Sequence, residues 1–309
     1  MVVALFGTGP MAAEYCNVLE FIGVDFDIFG NTVKTSETFS QKVKRHVQPN
    51  GVDHITNIAQ NYDAAIVAIP IEKQFELLLS LINQKFRNIL VEKPGCLYSH
   101  QISQLEELAK KQKSNVFIAY NRRFYSSVAM LKKCILEDGG ITSCFFEFTE
   151  ISDKIAQLNK PTCVLDNWLL CNSTHVIDLF IYLCGYPKEL HAQAQGSIEW
   201  HDPAIFAGSG VTESNIPYCY LANWNSAGSW RLELSTKNAR YILAPLEKLK
   251  VQKRNSFEIN DITNPTNIDQ RLKPGLFNLG DSFLAGKTDE FCDLTEQLRN
   301  MNFYKAIID

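Results

Sequence analysis

The sequence lacks a basic excess. Its 30 Lys and Arg stand against 34 Asp and Glu, a formal net charge of -4, and no long Lys/Arg run gathers in one segment. Without a positive field, neither nucleic acid nor an anionic lipid surface is an expected partner. Long apolar runs are missing too: a stretch such as Ala64 to Ile71 falls far short of the roughly 20 residues that cross a bilayer. No membrane span is expected. Met1 leads into a strand-like run and a glycine turn with no basic n-region before it, which is not the form of a signal peptide, so a cytoplasmic location is the expectation. The nine cysteines are scattered, odd in number and include no Cys-x-x-Cys pair, which argues against a disulfide scaffold and for reduced thiols, mostly in the core. No compact Cys/His pattern suggests a metal site. Internal repeats and low-complexity tracts are absent.

What is present is a globular composition. With 309 residues, 46% hydrophobic and 21% charged, the chain is about twice a typical domain, and two domains are expected. Short β-rich runs alternate with amphipathic stretches through the first part: strand Val2 to Phe6, helix Met11 to Ile22, strand Phe26 to Phe29, strand Ala64 to Ile69 stopped by Pro70, helix Gln74 to Lys85, strand Asn88 to Val91, a helix capped by Ser99 and running to Lys113, and strand Val116 to Ala119. That alternation predicts an α/β domain over residues 1–120, a doubly wound parallel sheet of the Rossmann type. Beyond Tyr120 the pattern changes. A helix through Met130 and Leu131 ends at Gly139-Gly140, a strand covers Thr142 to Glu150, a polar loop follows, and an apolar helix runs from Thr174 to Cys184 with Gly185 at its end. Later strands, Tyr218 to Trp224, Trp230 to Ser235 and Arg240 to Leu243, are separated by short turns. They predict an α+β domain over 121–309 with an open, mostly antiparallel sheet. The stretch Asn255 to Pro274 reads as a surface loop or an active-site flap, and a final helix is expected around Ser282 to Met301.

The turn Gly7-Thr8-Gly9-Pro10-Met11-Ala12 follows the first strand and opens the first helix. In the pattern Gly-x-Gly-x-x-Ala the first glycine permits the tight turn and the second lets backbone approach a pyrophosphate. The small third residue brings helix close to strand, and the helix N-terminus faces the phosphates. A tight turn with no ligand has the same local form. An acid that would hold the adenosine ribose of NAD is expected about 20 residues on, yet that place is taken by Gly30, followed by Asn31 and Thr32, while Asp27 comes too early. Losing the carboxylate removes a repulsion against a 2′-phosphate, which Thr32, Lys34 and Ser36 can hydrogen-bond. The cofactor expectation is NADP or NAD, with the balance toward NADP.

Glu92-Lys93-Pro94 ends a later Rossmann strand, where carboxyl ends of parallel strands carry ligands. A lysine there can hold a substrate hydroxyl and stabilise a developing alkoxide, or can simply be a solvated side chain beside a turn proline. Taken together, the glycine turn, Ala68-Ile69-Pro70, Val91-Glu92-Lys93-Pro94, Tyr120-Asn121-Arg122-Arg123-Phe124 and His175-x-x-Asp178 resemble, in order and spacing, the Gfo/Idh/MocA oxidoreductases, the family of glucose-fructose oxidoreductase and inositol dehydrogenase. The resemblance covers nearly the whole chain. It implies a Rossmann domain followed by an open sheet, NAD or NADP as cofactor, and a sugar, nucleotide sugar or polyol as substrate. It places the cofactor against the glycine turn, Gly30 to Thr32, Ile69, Pro70, Gln74, Glu92 and Lys93, with Asn121 and Arg122 near the nicotinamide. Lys93 would meet both nicotinamide and substrate, and His175 would be the acid or base. The stretches Ala222-Asn223-Trp224 to Pro245-Leu246-Glu247 and Lys273 to Phe277 are similar to members found in surface-polysaccharide gene clusters. Two positions depart from the pattern: Cys171 stands where many members place an Asp four residues before the histidine, and Gln74 where many carry a His.

Cys171, His175 and Asp178 fall on one face of a continuous helix, so Asp178 can orient His175 for general acid-base work. A structural histidine bonded to Asp178 fits the same spacing. A thiol nucleophile or half a zinc site at Cys171 and His175 has no further ligands to complete it. Asn167, Trp168 and Asn172 are candidates for substrate contact through amide bonds and ring stacking, although packing suits Trp168 equally. The function expected is hydride transfer between nicotinamide and a hydroxyl or carbonyl carbon of a sugar-like molecule. A catalytically silent dinucleotide-binding sensor or scaffold of a glycan pathway is the alternative that Cys171 raises. A short-chain dehydrogenase is disfavoured by the absence of Tyr-x-x-x-Lys, and a methyltransferase leaves Glu92-Lys93-Pro94 unexplained. A homo-oligomer, dimer or tetramer, is expected.

Overall fold

The computed structural model describes residues 1–51, 58–263 and 268–309. The chain divides into two compact units, Met1–Asn121 with Gln270–Arg299 and Arg122–Asp269 with Asn300–Asp309.

The first unit is built on β1 (Val2–Phe6), β2 (Asp25–Phe29), β3 (Val47–Gln48), β4 (Ala64–Val67), β5 (Asn88–Glu92) and β6 (Asn115–Ala119), all parallel to their neighbours. β1 and β4 are near-continuous apolar runs, buried along almost their whole length, as strands covered by helices on both faces must be. The parallel order β6-β5-β4-β1-β2-β3 reverses direction at β1, the switch point where doubly wound sheets bind ligands. The helix of Pro10–Ile22 begins at this point and ends on Gly23, whose φ of 81° closes its last turn.

The second unit carries β7 (Ile141–Phe148), β8 (Pro187–Gln195), β9 (Ile205–Thr212), β10 (Pro217–Asn223), β11 (Trp230–Thr236), β12 (Ala239–Leu243), β13 (Leu249–Lys253) and β14 (Ile259–Asp261) in the order β14-β13-β12-β11-β7-β10-β9-β8. Neighbours are antiparallel except β7 and β10, which run parallel at the centre. Along β7 the residues Cys144, Phe146 and Phe148 are buried and their alternates less so, so one face is covered. Phe180 of the Thr174–Cys184 helix stacks on Phe146 with ring centroids 4.7 Å apart.

Four expectations change. Gln270–Arg299 groups with the Rossmann unit instead of the second domain. The reason is β15 (Cys292–Asp293), which adds an antiparallel edge beside β6, together with a helix, Leu276–Leu284, whose Phe277 meets Phe21 edge-on at 5.4 Å. The single helix foreseen at Ser282 to Met301 is instead this helix and Leu294–Ile308, separated by a turn through Gly286 at φ 69° and by β15. The polar loop before Thr174 contains helices Ser152–Ala156 and Thr162–Leu165 and a π-helical turn, Leu169–Ser173. Of the expected loop or flap from Asn255 to Pro274, β14 pairs with β13 and Ile268–Arg271 is helical, while residues 264–267 lie outside the described residues.

Candidate cofactor and catalytic site

In the first unit the expected cofactor residues gather at the carboxyl ends of β1, β2, β4 and β5. Gly7 has a φ of 129°, and a Cβ there would collide with the carbonyl oxygen of Ala68. Only glycine fits that crossing. Gly9 differs: its φ is -92°, and a Cβ would meet nothing within 4 Å. Gly9 is also the N-cap of the Pro10–Ile22 helix, with no side chain capping it, so backbone N–H groups of the first turn and open space meet where an anion would sit.

The residues after β2 form a second cradle. A Cβ on Gly30 would collide with Ser36 Oγ, so an aspartate there would force Ser36 to move. The Thr32 hydroxyl accepts from Thr35 N (3.2 Å) and caps the Val33–Val43 helix. Asp27 accepts from the Tyr62 hydroxyl (2.7 Å). Asn31 Oδ1, Ser36 Oγ and, following β4, Gln74 Oε1 are buried without a hydrogen-bond partner among the described residues. Buried oxygens of this kind normally find partners, and the ribose hydroxyls and amide of a dinucleotide supply such donors. The residues present therefore fit that cofactor. Gln74 donates from Nε2 to the Ile69 carbonyl (3.4 Å).

Lys93 follows β5, half-buried, in a turn held from two sides. Gln297 Nε2 donates to the Pro94 carbonyl (3.0 Å), while the Tyr120 hydroxyl donates to Gln297 Oε1 (3.1 Å). Glu92 accepts from the buried Tyr15 hydroxyl (2.9 Å); burial first and the Glu92 charge second push the Tyr15 phenol up, so it stays a donor. Asn121 Nδ2 donates to the Pro274 carbonyl (3.0 Å). Sequence reading did not find Gln297, whose only signal is a long-range contact.

In the second unit, His175 and Asp178 lie buried on the Thr174–Cys184 helix. Asp178 receives a fork from Arg123, Nε at 2.9 Å and Nη2 at 2.5 Å, with the two side chains 0% and 3% exposed. Arg122 Nη1 lies 2.9 Å from His175 Nε2. Because a guanidinium only donates, Nε2 accepts and the ring proton sits on Nδ1. Trp230 flanks both groups, 5.7 Å from the imidazole and 5.4 Å from the guanidinium. The neighbouring arginines of one short helical turn, Asn121–Phe124, thus bind His175 and Asp178 of the helix.

Upstream, Cys171 is buried and Asn172 half-buried in the π turn. Asn167 spends its amide on the Cys163 carbonyl (2.9 Å). Trp168 is buried with its ring edge-on to Trp200 at 5.8 Å. Glu150, which sequence reading passed over, is buried just beyond β7 and accepts from Asn172 Nδ2 (3.0 Å to each oxygen) and Ser173 Oγ (2.7 Å).

A doubly wound sheet with an open second glycine, an uncapped helix N-terminus and buried orphan oxygens has the form of a dinucleotide site. Residues 1–120 match the model of the GFO_IDH_MocA oxidoreductase family, NAD-binding Rossmann fold. Solved structures share the whole fold at low identity. UDP-N-acetylglucosamine 3-dehydrogenase GnnA from Acidithiobacillus ferrooxidans is 14% identical with a TM-score of 0.78, over 100% of this chain and 96% of that one. The WlbA dehydrogenase from Chromobacterium violaceum, in complex with NADH and UDP-GlcNAcA, is 14% identical at 0.73, over 99% and 92%. An oxidoreductase from Agrobacterium radiobacter, in complex with NAD+, L-tartaric acid and magnesium, is 12% identical at 0.78, over 99% and 94%. No curated protein matches the chain. Among the described residues no helix is long and apolar enough to cross a membrane.

Proposed function

We propose that the protein is an NAD(P)-dependent dehydrogenase acting on a CH–OH carbon of a sugar, nucleotide sugar or polyol. The observation that carries the reading is the cradle of the first unit, in which Gly9 leaves space at a helix N-terminus beside the buried, unpartnered oxygens of Asn31, Ser36 and Gln74. Nucleotide-sugar dehydrogenases among the structural relatives make that substrate class the first to test.

When bound, the nicotinamide supplies the hydride acceptor or donor. Lys93, held in a fixed turn by Gln297, donates a hydrogen bond to the reacting oxygen and stabilises negative charge as it develops. His175 takes or returns the hydroxyl proton at Nε2 once that hydroxyl replaces the Arg122 N–H. Asn121 and Arg122 flank the nicotinamide; Asn167, Trp168, Cys171 and Asn172 line the substrate. Cys171 offers no carboxylate to share the proton, so the chemistry rests on Lys93 and His175. The missing acid at Gly30 favours NADP over NAD. The exposed Leu221 and Cys219 lie on the open face of the second sheet, a surface suited to pairing in a homo-oligomer, and cytoplasmic location completes the reading.

The test is the change in absorbance at the reduced-nicotinamide band with each cofactor and a panel of sugars and nucleotide sugars, UDP-N-acetylglucosamine included. Turnover by the wild type, lost in Lys93→Met and His175→Ala, supports the proposal. Dinucleotide binding with no turnover across the panel replaces it with a silent sensor.

A further inference from the structure

Glu150 and Asn172 meet in an arrangement that determines which end of an amide faces outward. Glu150 is buried at 6% exposure. Its two carboxylate oxygens each lie 3.0 Å from Asn172 Nδ2, and Ser173 Oγ adds a third hydrogen bond at 2.7 Å. An ionised carboxylate is acceptor-only, so it selects the NH2 end of the asparagine and turns Oδ1 away from itself. Both oxygens are engaged by donors. The π turn of Leu169–Ser173 presents Asn172 and Ser173 to the carboxylate together, and Thr174 Oγ1 occupies the Leu170 carbonyl (2.8 Å) at the point where α-helix resumes. Asn172 is only half-buried.

We infer that Glu150 makes Asn172 a pure hydrogen-bond acceptor and that this wall of the second unit selects a neutral, hydroxyl- or amide-bearing sugar over an acidic one. This rests on the sugar dehydrogenase reading above. A substrate hydroxyl or amide N–H donates to Asn172 Oδ1. A carboxylate at the same place has no proton to give, and it faces the Glu150 charge behind the amide. Glu150 is a positioning and specificity residue; it acts through Asn172. The property was invisible to spacing, because the two side chains are 22 positions apart in the sequence.

Two measurements on the full chain test it. The first needs no substrate: melting temperatures at pH 8 and pH 5 for Asn172→Asp, Glu150→Gln and the double variant. Asn172→Asp sets two carboxylates face to face and is expected to melt several degrees lower at pH 8 than at pH 5, relative to wild type at each pH. Adding Glu150→Gln restores a donor and an acceptor with their polarity exchanged, so the double variant is expected to recover most of the loss. If Asn172→Asp melts like wild type at both pH values, or Glu150→Gln fails to rescue it, the orientation is wrong. The second is calorimetric binding of UDP-N-acetylglucosamine and of the corresponding uronic acid to cofactor-loaded protein. At least ten-fold tighter binding of the neutral sugar is expected, with the preference reduced in Glu150→Gln. Equal affinity, preference for the acid, or no binding of either overturns the specificity. Binding of the neutral sugar without turnover leaves the inference standing and removes the dehydrogenase reading instead.

Discussion

Two glycines of one turn should fail in opposite ways. At Gly7 the backbone sits at φ 129°, and an added methyl would run into the Ala68 carbonyl, which belongs to the main chain and cannot swing aside. A non-glycine residue in that region costs about 1–3 kcal/mol and the forced overlap another ~1–3 kcal/mol. At about 2–4 °C per kcal/mol for a domain of this size, Gly7→Ala should melt roughly 5–20 °C below wild type. Gly9 has an ordinary φ of -92° and open space in front of it, so Gly9→Ala should keep its stability within about 0.5 kcal/mol. Its methyl would fill the gap through which backbone approaches a pyrophosphate, and NAD(P) affinity should fall at least about ten-fold, the equivalent of ~1.4 kcal/mol. Thermal denaturation and calorimetric titration with both dinucleotides separate the two effects. A Gly9→Ala variant that binds as wild type, or a Gly7→Ala variant that melts as wild type, would refute the assignment of roles.

The Arg123–Asp178 pair is buried on both sides, so removing either partner alone should destabilise the second unit by about 3–5 kcal/mol, while Arg123→Met with Asp178→Leu should recover much of it; denaturant melts of the three variants decide. Replacing His175 by Ala should lower turnover by about 10²–10⁴-fold, with dinucleotide affinity kept within a few-fold by titration; unchanged turnover removes it from the mechanism. Lys93→Met should lower kcat by about 10²–10³-fold in steady-state assays. Burial pushes the Cys16 thiol up to about 12 and the Cys96 thiol higher still, whereas Cys219 is exposed. Thiol labelling of the folded protein near pH 8, read by mass spectrometry, should therefore modify Cys219 well before Cys16 or Cys96.

What the sequence disclosed follows the range of the interactions. The glycine turn, the apolar strands of the first sheet and the Thr174–Cys184 helix depend on neighbours within a few residues, and pattern alone located them. The side chains that hold the catalytic candidates come from farther away. Arg122 reaches His175 across 53 positions and Arg123 reaches Asp178 across 55, so spacing along one helix paired His175 with Asp178 and overlooked the arginines. Gln297 reaches Pro94 across 203 positions, from a helix whose start could not be read until β15 was seen to pair with β6. Glu150 was passed over because a carboxylate at a strand end has no local pattern. The π turn was missed because Leu169–Ser173 fell within a stretch read as a polar loop, and no short-range pattern marks a π turn.

The central claim is that the first unit holds a nicotinamide dinucleotide, and native mass spectrometry of the protein, as purified and after adding equimolar NAD+ and NADP+, tests it most directly. One dinucleotide per chain, with NADP+ retained in preference to NAD+ and both lost in Gly9→Ala, is the expected result. A wild-type chain that holds neither, under conditions where it remains folded, would contradict the account.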